Sequence, residues 1–312
     1  VADITRDDIA TLIQEEYSSE LLGTASTTSA VLSVARTVPL GTKVTNMPVL
    51  ATLPEADFVS ESATDDAGKK PTSKATWANK QFVVEEIAVI IPVHEDTLED
   101  ATEDLVTELT NEGGAAIGRK LDGAILFATD KPATWTSPGL LAAAVGAGQA
   151  VTVSPTPGED DLAGSIYQAA GLVDEAGWDP GALLAPRGLR YRLANLRGED
   201  GAPIVQGTLQ NGVAAGGSVI GLEAGWVPGM VWDRDEAEAL VIDPMRVLVG
   251  IRQDITVKFL DQATVGGINL AERDMVALRF KARYAYVLGN TRTQEGDAPK
   301  VPVAAVLPAS GS

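Results

Sequence analysis

The chain contains no cysteine and a single histidine, His94. The first absence excludes disulfides, thiol nucleophiles and cysteine-bound zinc or iron–sulfur centres, and the second excludes any site that needs two imidazoles. Aromatic residues make up only 5% of the 312 residues, so the core must come from Val, Ile, Leu and Ala. Bases are scarce beside acids: 24 Lys and Arg face 43 Asp and Glu, for a formal charge of −19. A primary nucleic-acid binder relies on Lys and Arg to neutralise phosphates, and this balance argues against one. The longest uncharged apolar run, 140–153, is too short and too glycine-rich to span a bilayer. Arg6, Asp7 and Asp8 interrupt the first apolar stretch, so no secretory signal is expected. A cytosolic setting without a membrane partner is the resulting expectation.

What is present has a globular profile, with 45% apolar and 21% charged residues, long enough for one large or two ordinary domains. Residues 5–23 read as a short amphipathic helix: Thr5 and Asp8 form a capping pair, and Ile9, Leu12, Ile13, Tyr17 and Leu21 share a face. A Thr/Ser/Ala linker, 24–30, follows. Helix and linker together read as an arm whose apolar face finds its partner on another subunit. Residues 31–52 are β-like, with Pro39-Leu40-Gly41 as punctuation, and strand character returns at 75–93. The polar stretch 61–74 between them, with Lys69 and Lys70, predicts the tip of a long hairpin. A two-stranded ribbon is barely stable in water, so it must lie on something.

Residues 95–129 carry the strongest helical signal, with Leu98, Leu105, Leu109, Leu121 and Ile125 among the apolar positions that recur at helical spacing. Such a helix extends about 50 Å at 1.5 Å per residue, and Gly113-Gly114 predicts a bend in its middle. Its first half holds Glu95, Asp96, Glu99, Asp100, Glu103, Asp104, Glu108 and Glu112, whereas Arg119 and Lys120 come late, as the helix dipole favours. From 138 to 243 Ala and Gly dominate, with helices predicted at 160–176 and 187–196 and a buried strand at 182–185. This reads as an inserted α/β domain. Strands follow at 246–260 and 275–288. In the second, Val276, Leu278, Phe280, Ala282, Tyr284, Tyr286 and Leu288 share one face, and Arg279, Lys281 and Arg283 the other. Pro299, Pro302 and Pro308 mark an extended tail.

Little here points to catalysis. His94 beside Glu95 and Asp96 has the elements of a general base, yet no nucleophile motif accompanies it, and it reads as a strand-end histidine. The acidic run has no glycine-hinged loop to make it a calcium site, and reads as a solvated helix face or a face matched to a neighbour's bases. The cluster Arg187, Arg190, Arg192 and Arg197 reads as surface or interface. A carboxylate-pair hydrolase would need an aromatic-lined cleft, for which the scattered aromatics offer little. No catalytic, cofactor-binding or metal site is expected.

The order of parts resembles the major capsid proteins of tailed bacteriophages, the Hong Kong 97 type. The strings ESATDDAGKKPTSKATW (61–77) with 82–93 resemble that family's extended loop, and 95–100 the acidic start of its spine helix. IGRKLDGAILF (117–127) before Pro138-Gly139-Leu140 resembles the entry into its axial domain, LAPRGLRYRLANLRGEDGAPIV (184–205) that domain's strand, helix and turn. VLVGIRQD (247–254) and DMVALRFKAR (274–283) resemble the returning peripheral strands. An N-terminal scaffolding segment, common in such proteins, is not expected here; either it has been removed or a separate protein does that work.

The resemblance implies an α+β fold: an N-terminal arm (1–40), an extended loop with flanking strands (41–92), the spine helix of a peripheral domain (93–137), an α/β axial domain (138–245), and returning strands with a C-terminal tail (246–312). It implies a major capsid protein that assembles as pentamers and hexamers into an icosahedral shell around double-stranded DNA. Assembly would take place in the host bacterial cytoplasm, with portal and scaffolding proteins and, in some relatives, a decoration protein as partners. An encapsulin-type compartment shell is the alternative on the same fold. Lys69, Lys70, Glu99, Glu103, Arg279, Lys281 and Arg283 are the expected assembly contacts. In some relatives a loop lysine forms an isopeptide bond with a neighbour's asparagine, and Lys69 with Asn269 is the pair this would imply. The arm, ribbon and tail would each cover apolar surface on neighbouring copies, burying several thousand Å² per subunit in the manner of obligate assemblies.

Overall fold

The computed structural model describes residues 29–52, 76–99, 105–154, 162–196, 218–219, 221–289 and 299–309. The expected arm helix lies outside them, as does the hairpin tip. The described chain opens with a helix, α1 (Ala30–Val34), and a strand, β1 (Arg36–Pro39). Strands β2 (Val44–Thr52) and β3 (Thr76–Val83) pair antiparallel, from Val44 opposite Val83 to Thr52 opposite Thr76, and form the body of the expected hairpin. β4 (Glu85–His94) leads into α2 (Glu95–Glu99) and, after residues outside the description, α3 (Leu105–Leu126). Next come α4 (Leu140–Gly146), β5 (Ala150–Thr152), α5 (Leu162–Glu175), β6 (Ala182–Pro186) and α6 (Leu189–Ala194). β7 (Ser218–Val219), β8 (Leu222–Val227), β9 (Ala239–Ile242) and β10 (Val247–Leu260) follow. The small β11 (Thr264–Val265) and β12 (Ile268–Asn269) precede β13 (Met275–Leu288) and β14 (Val303–Leu307).

Two larger sheets organise these elements. The first has four strands in the order β1-β10-β13-β4, with the long β13 antiparallel to both its neighbours. The strict alternation read in β13 does its work here: Leu278, Phe280, Ala282, Tyr284, Tyr286 and Leu288 turn into a core shared with Ile117, Leu121 and Ile125 of α3. β4 alternates half-buried and exposed residues along its length, because one face meets that core and the other does not. α3 runs unbroken through Gly113-Gly114. The glycine serves close packing, since a Cβ on Gly113 would stand 2.7 Å from the Phe280 ring. The helix stops at Leu126, short of the expected 129, where Ala128 takes a positive φ of 59° and Thr129 donates its N–H back to the Gly123 carbonyl.

The second sheet has six strands in the order β5-β14-β9-β6-β8-β7. β6 is buried at every residue because both faces are covered. On one side lie Leu162, Ile166, Ala169 and Val173 of α5 with Leu189 and Leu193 of α6. On the other, Leu184, Leu240 and Ile242 join the same core as Val247, Tyr284 and α3, so one apolar interior runs beneath both sheets.

Three readings change. Residues 31–34 are helical rather than β-like, because Ser29 caps α1 by accepting the Leu32 N–H. The expected extended tail is instead β14, an almost wholly buried inner strand, parallel to β5 and antiparallel to β9. Buried Gln149 fixes its approach by accepting the Val301 N–H at 2.7 Å and donating to the Val301 carbonyl at 2.9 Å. Finally, the base of the β2–β3 ribbon buries apolar residues of its own chain: Phe82 and Val84 pack with Leu40, Leu248, Ala285 and Val287 on the far side of the first sheet.

Candidate assembly surfaces

The segment that leads into the body is held at its root by one carboxylate. Asp122 of α3 is fully buried, and its oxygens accept from Ser29 Oγ at 2.6 Å, Ala30 N at 2.9 Å and Val31 N at 3.3 Å. Burial pushes this carboxyl up to about 7, against the pull of the three donors. α1 itself sits tightly on β8: a Cβ on Gly225 would stand 3.0 Å from the Ala30 carbonyl oxygen. No sequence signal marks Asp122, because its partners lie more than ninety residues earlier in the chain.

The ribbon is held at its base by Lys80 of β3, whose ammonium donates to the carbonyls of Leu288 and, at 3.4 Å, Gly289. Partial burial pulls the Lys80 amine below the usual lysine range. Beside it the Trp135 indole donates to the Val83 carbonyl at 3.0 Å and its ring meets Tyr286 at 6.0 Å. The fixed base sets the direction in which the ribbon leaves the body.

The basic stripe of β13 finds an acid within the chain. Glu86 of β4 receives Lys281 Nζ at 2.7 Å and Arg283 Nη2 at 3.2 Å, which holds its carboxyl below the usual range. Arg283 lies opposite Glu86 in the strand register. Arg279 differs: it lies opposite Lys258 of β10 and Ile90 of β4, and among the described residues neither cation has an ion-pair partner. Like charges placed directly opposite in a sheet repel.

The other expected contacts divide. Lys69, Lys70 and Glu103 lie outside the described residues; Glu99 ends α2, and Asn269 is half-buried on the β11–β12 ribbon. Glu95, Asp96, Glu108 and Glu112 lie exposed along α2 and α3, with Arg119 3.7 Å from Glu112. His94 is exposed at the end of β4. Of the arginine cluster, Arg192 pairs with Glu238 at 2.5 Å, Arg190 stacks on Tyr191 at 4.8 Å, and Arg197 is outside the description. A cleft of about 440 Å³ between β4 and α3 is lined by Ile87, Val89, Ile117 and Ala124 together with Glu86 and Lys120. Among the described residues no three His, Asp or Glu side chains are grouped to hold a metal, and no helix is long and apolar enough to cross a membrane.

The comparisons with known proteins agree with this architecture. The sequence profile of the phage capsid family matches residues 10–292. A solved structure from Mycobacterium phage Bobi is 52% identical over the whole of both chains, with a TM-score of 0.79. One from Mycobacterium phage Adephagia is 50% identical, again over both whole chains, at 0.80. At 15% identity the fold alone is shared with a structure described as the capsid of a native GTA particle, which aligns over 92% of this chain and 91% of that one with a TM-score of 0.59. No curated protein matches. The α+β architecture is the Hong Kong 97-like fold of phage capsids. The chain belongs to the phage capsid family and is a structural protein of the virion shell, built from copies of itself.

Proposed function

We propose that the chain is the major capsid protein of a tailed phage, assembling as pentamers and hexamers into an icosahedral shell around double-stranded DNA in the host bacterial cytoplasm. The full-length likeness to Mycobacterium phage structures at half identity is the observation that carries this reading. The four-stranded sheet with α3 serves as the peripheral domain. The six-stranded sheet, with residues 299–309 added, serves as the axial domain. Portal and scaffolding proteins are its partners in assembly, with a decoration protein as a further partner. Its work is mechanical rather than catalytic.

Within that reading, Arg279 and Lys258 form the open end of the basic stripe and meet acids of an adjacent subunit, for which Glu99 and Glu103 are the candidates. Lys281 and Arg283, shared with Glu86, stiffen the same face. Exposed pairs of this kind contribute about 0–1 kcal/mol each, so they set register more than strength. Nucleic acid extracted from nuclease-treated particles tests the function: genome-length double-stranded DNA is expected, and shells holding only a protein cargo would contradict it. On a denaturing gel of the same particles, a ladder of multimers is the expected mark of a Lys69–Asn269 isopeptide bond, formed as the amine displaces ammonia from the carboxamide. A single monomer band removes that bond from the account.

A further inference from the structure

Asp122 of α3 is a buried carboxylate, and the shell-building reading assigns it no role. It is fully buried, and among the described residues the groups shown hydrogen-bonding to it belong to the root of the N-terminal segment: Ser29, Ala30 and Val31. Among the described residues no cation forms an ion pair with it. α1 (AVLSV), β6 (ALLAP) and α4 (LLAAAVG) carry no charged residue. β8 brings only Glu223, which is exposed, and Arg36 just beyond α1 is exposed as well. On α3 itself Lys120 is engaged by Asp130 at 2.6 Å, and Arg119 lies 3.7 Å from Glu112.

We propose that Asp122 is a proton-operated latch, in which the carboxyl holds the root of the N-terminal segment on α3 and taking up a proton tightens that hold. The physical basis is the difference between two states of the root. Docked, it seals the carboxyl from water, and an ionised carboxylate with no cation is costly there. Lifted away, it exposes the carboxyl to solvent, where ionisation is cheap. The docked state therefore binds the proton more tightly, consistent with the upward push that burial exerts. By linkage, acid favours docking, and the advantage is lost as the pH rises from about 4 through about 7. Above that range the three donors alone hold the root. Protonation leaves the contact intact because Ser29 Oγ, 2.6 Å from the carboxyl, can accept as well as donate.

Hydrogen exchange of the full-length chain, read by mass spectrometry on peptides covering 29–36 and corrected for intrinsic exchange, tests the latch. The protection factor of this segment is expected to fall about tenfold per pH unit as the pH rises from 5 to 7, and to level off above that. In Asp122→Asn the slope disappears. Protection independent of pH in the parent chain, or an unchanged slope in the Asn variant, overturns the proposal. Should Asp122→Asn not fold, Ser29→Ala decides: removing a donor that favours the ionised form moves the levelling point to higher pH. An unmoved or lowered point contradicts the latch.

Discussion

Glu86 shows how a residue acquires its role from register rather than from its own neighbours in the sequence. It stands in a run of alternating side chains on β4, and only the antiparallel pairing with β13 brings Lys281 and Arg283 to it. Because those cations hold its carboxyl below the usual range, its contribution is present above the ordinary glutamate pKa and is lost only as the pH falls below it. Glu86→Gln is expected to lower stability by no more than about 1 kcal/mol at neutral pH, since the group is exposed and water screens the pair. A urea titration at pH 7 and again at pH 3 checks this, with the difference between parent and variant shrinking in acid. Gly113 makes the opposite case, a residue whose lack of a side chain is its function. Gly113→Ala places a methyl against the Phe280 ring. Overpacking costs about 1–3 kcal/mol, while helix propensity returns at most about 1 kcal/mol. A lower Tm follows, and a raised one would show that the ring can step aside.

Elements differ in how openly the sequence announces them. β13 was legible over 278–283, where burial on one face writes a period of two into the chain; over 284–288 both faces are buried. α3 was legible from its helical spacing, and the β2–β3 ribbon from two extended stretches flanking a polar one. β14 was not. Its five residues, VAAVL, have no period, since a strand covered on both faces needs none, and its partners β5 and β9 lie far away in the chain. α1 was missed for a similar reason: AVLSV favours a strand locally, and the Ser29 cap and the buried Asp122 decide otherwise. The basic stripe was legible as residue types and not as pairs, since a one-dimensional charge pattern does not say which of its members are satisfied within the chain. The importance of β14 is open to test through Gln149. Gln149→Leu leaves the buried Val301 N–H and carbonyl unpaired, at about 1–3 kcal/mol for each group. Exchange of the β14 amides is expected to accelerate more than that of β13. Equal acceleration would mean that the two sheets open together.

At the scale of the whole molecule, the structure redistributes where the chain is self-sufficient. β14 and the ribbon base cover the subunit's own core, and the exposed face of the first sheet is the surface proposed above for contact between copies. Ile90, Lys258 and Arg279 lie side by side on that face, an apolar residue next to two cations with no ion-pair partner among the described residues. Many weak contacts of this type let misplaced subunits leave before the shell closes, and their number then holds the closed shell. The formal charge of −19 suits a container that should not adhere to its contents, although only the inner face matters for that purpose. A cryo-EM reconstruction of particles assembled from the purified chain decides whether copies of the subunit cover one another. Closed shells are expected, in which the β2–β3 ribbon lies across an adjacent subunit and an acid of that neighbour reaches Arg279. A monodisperse single subunit, with the ribbon folded onto its own body, would contradict it.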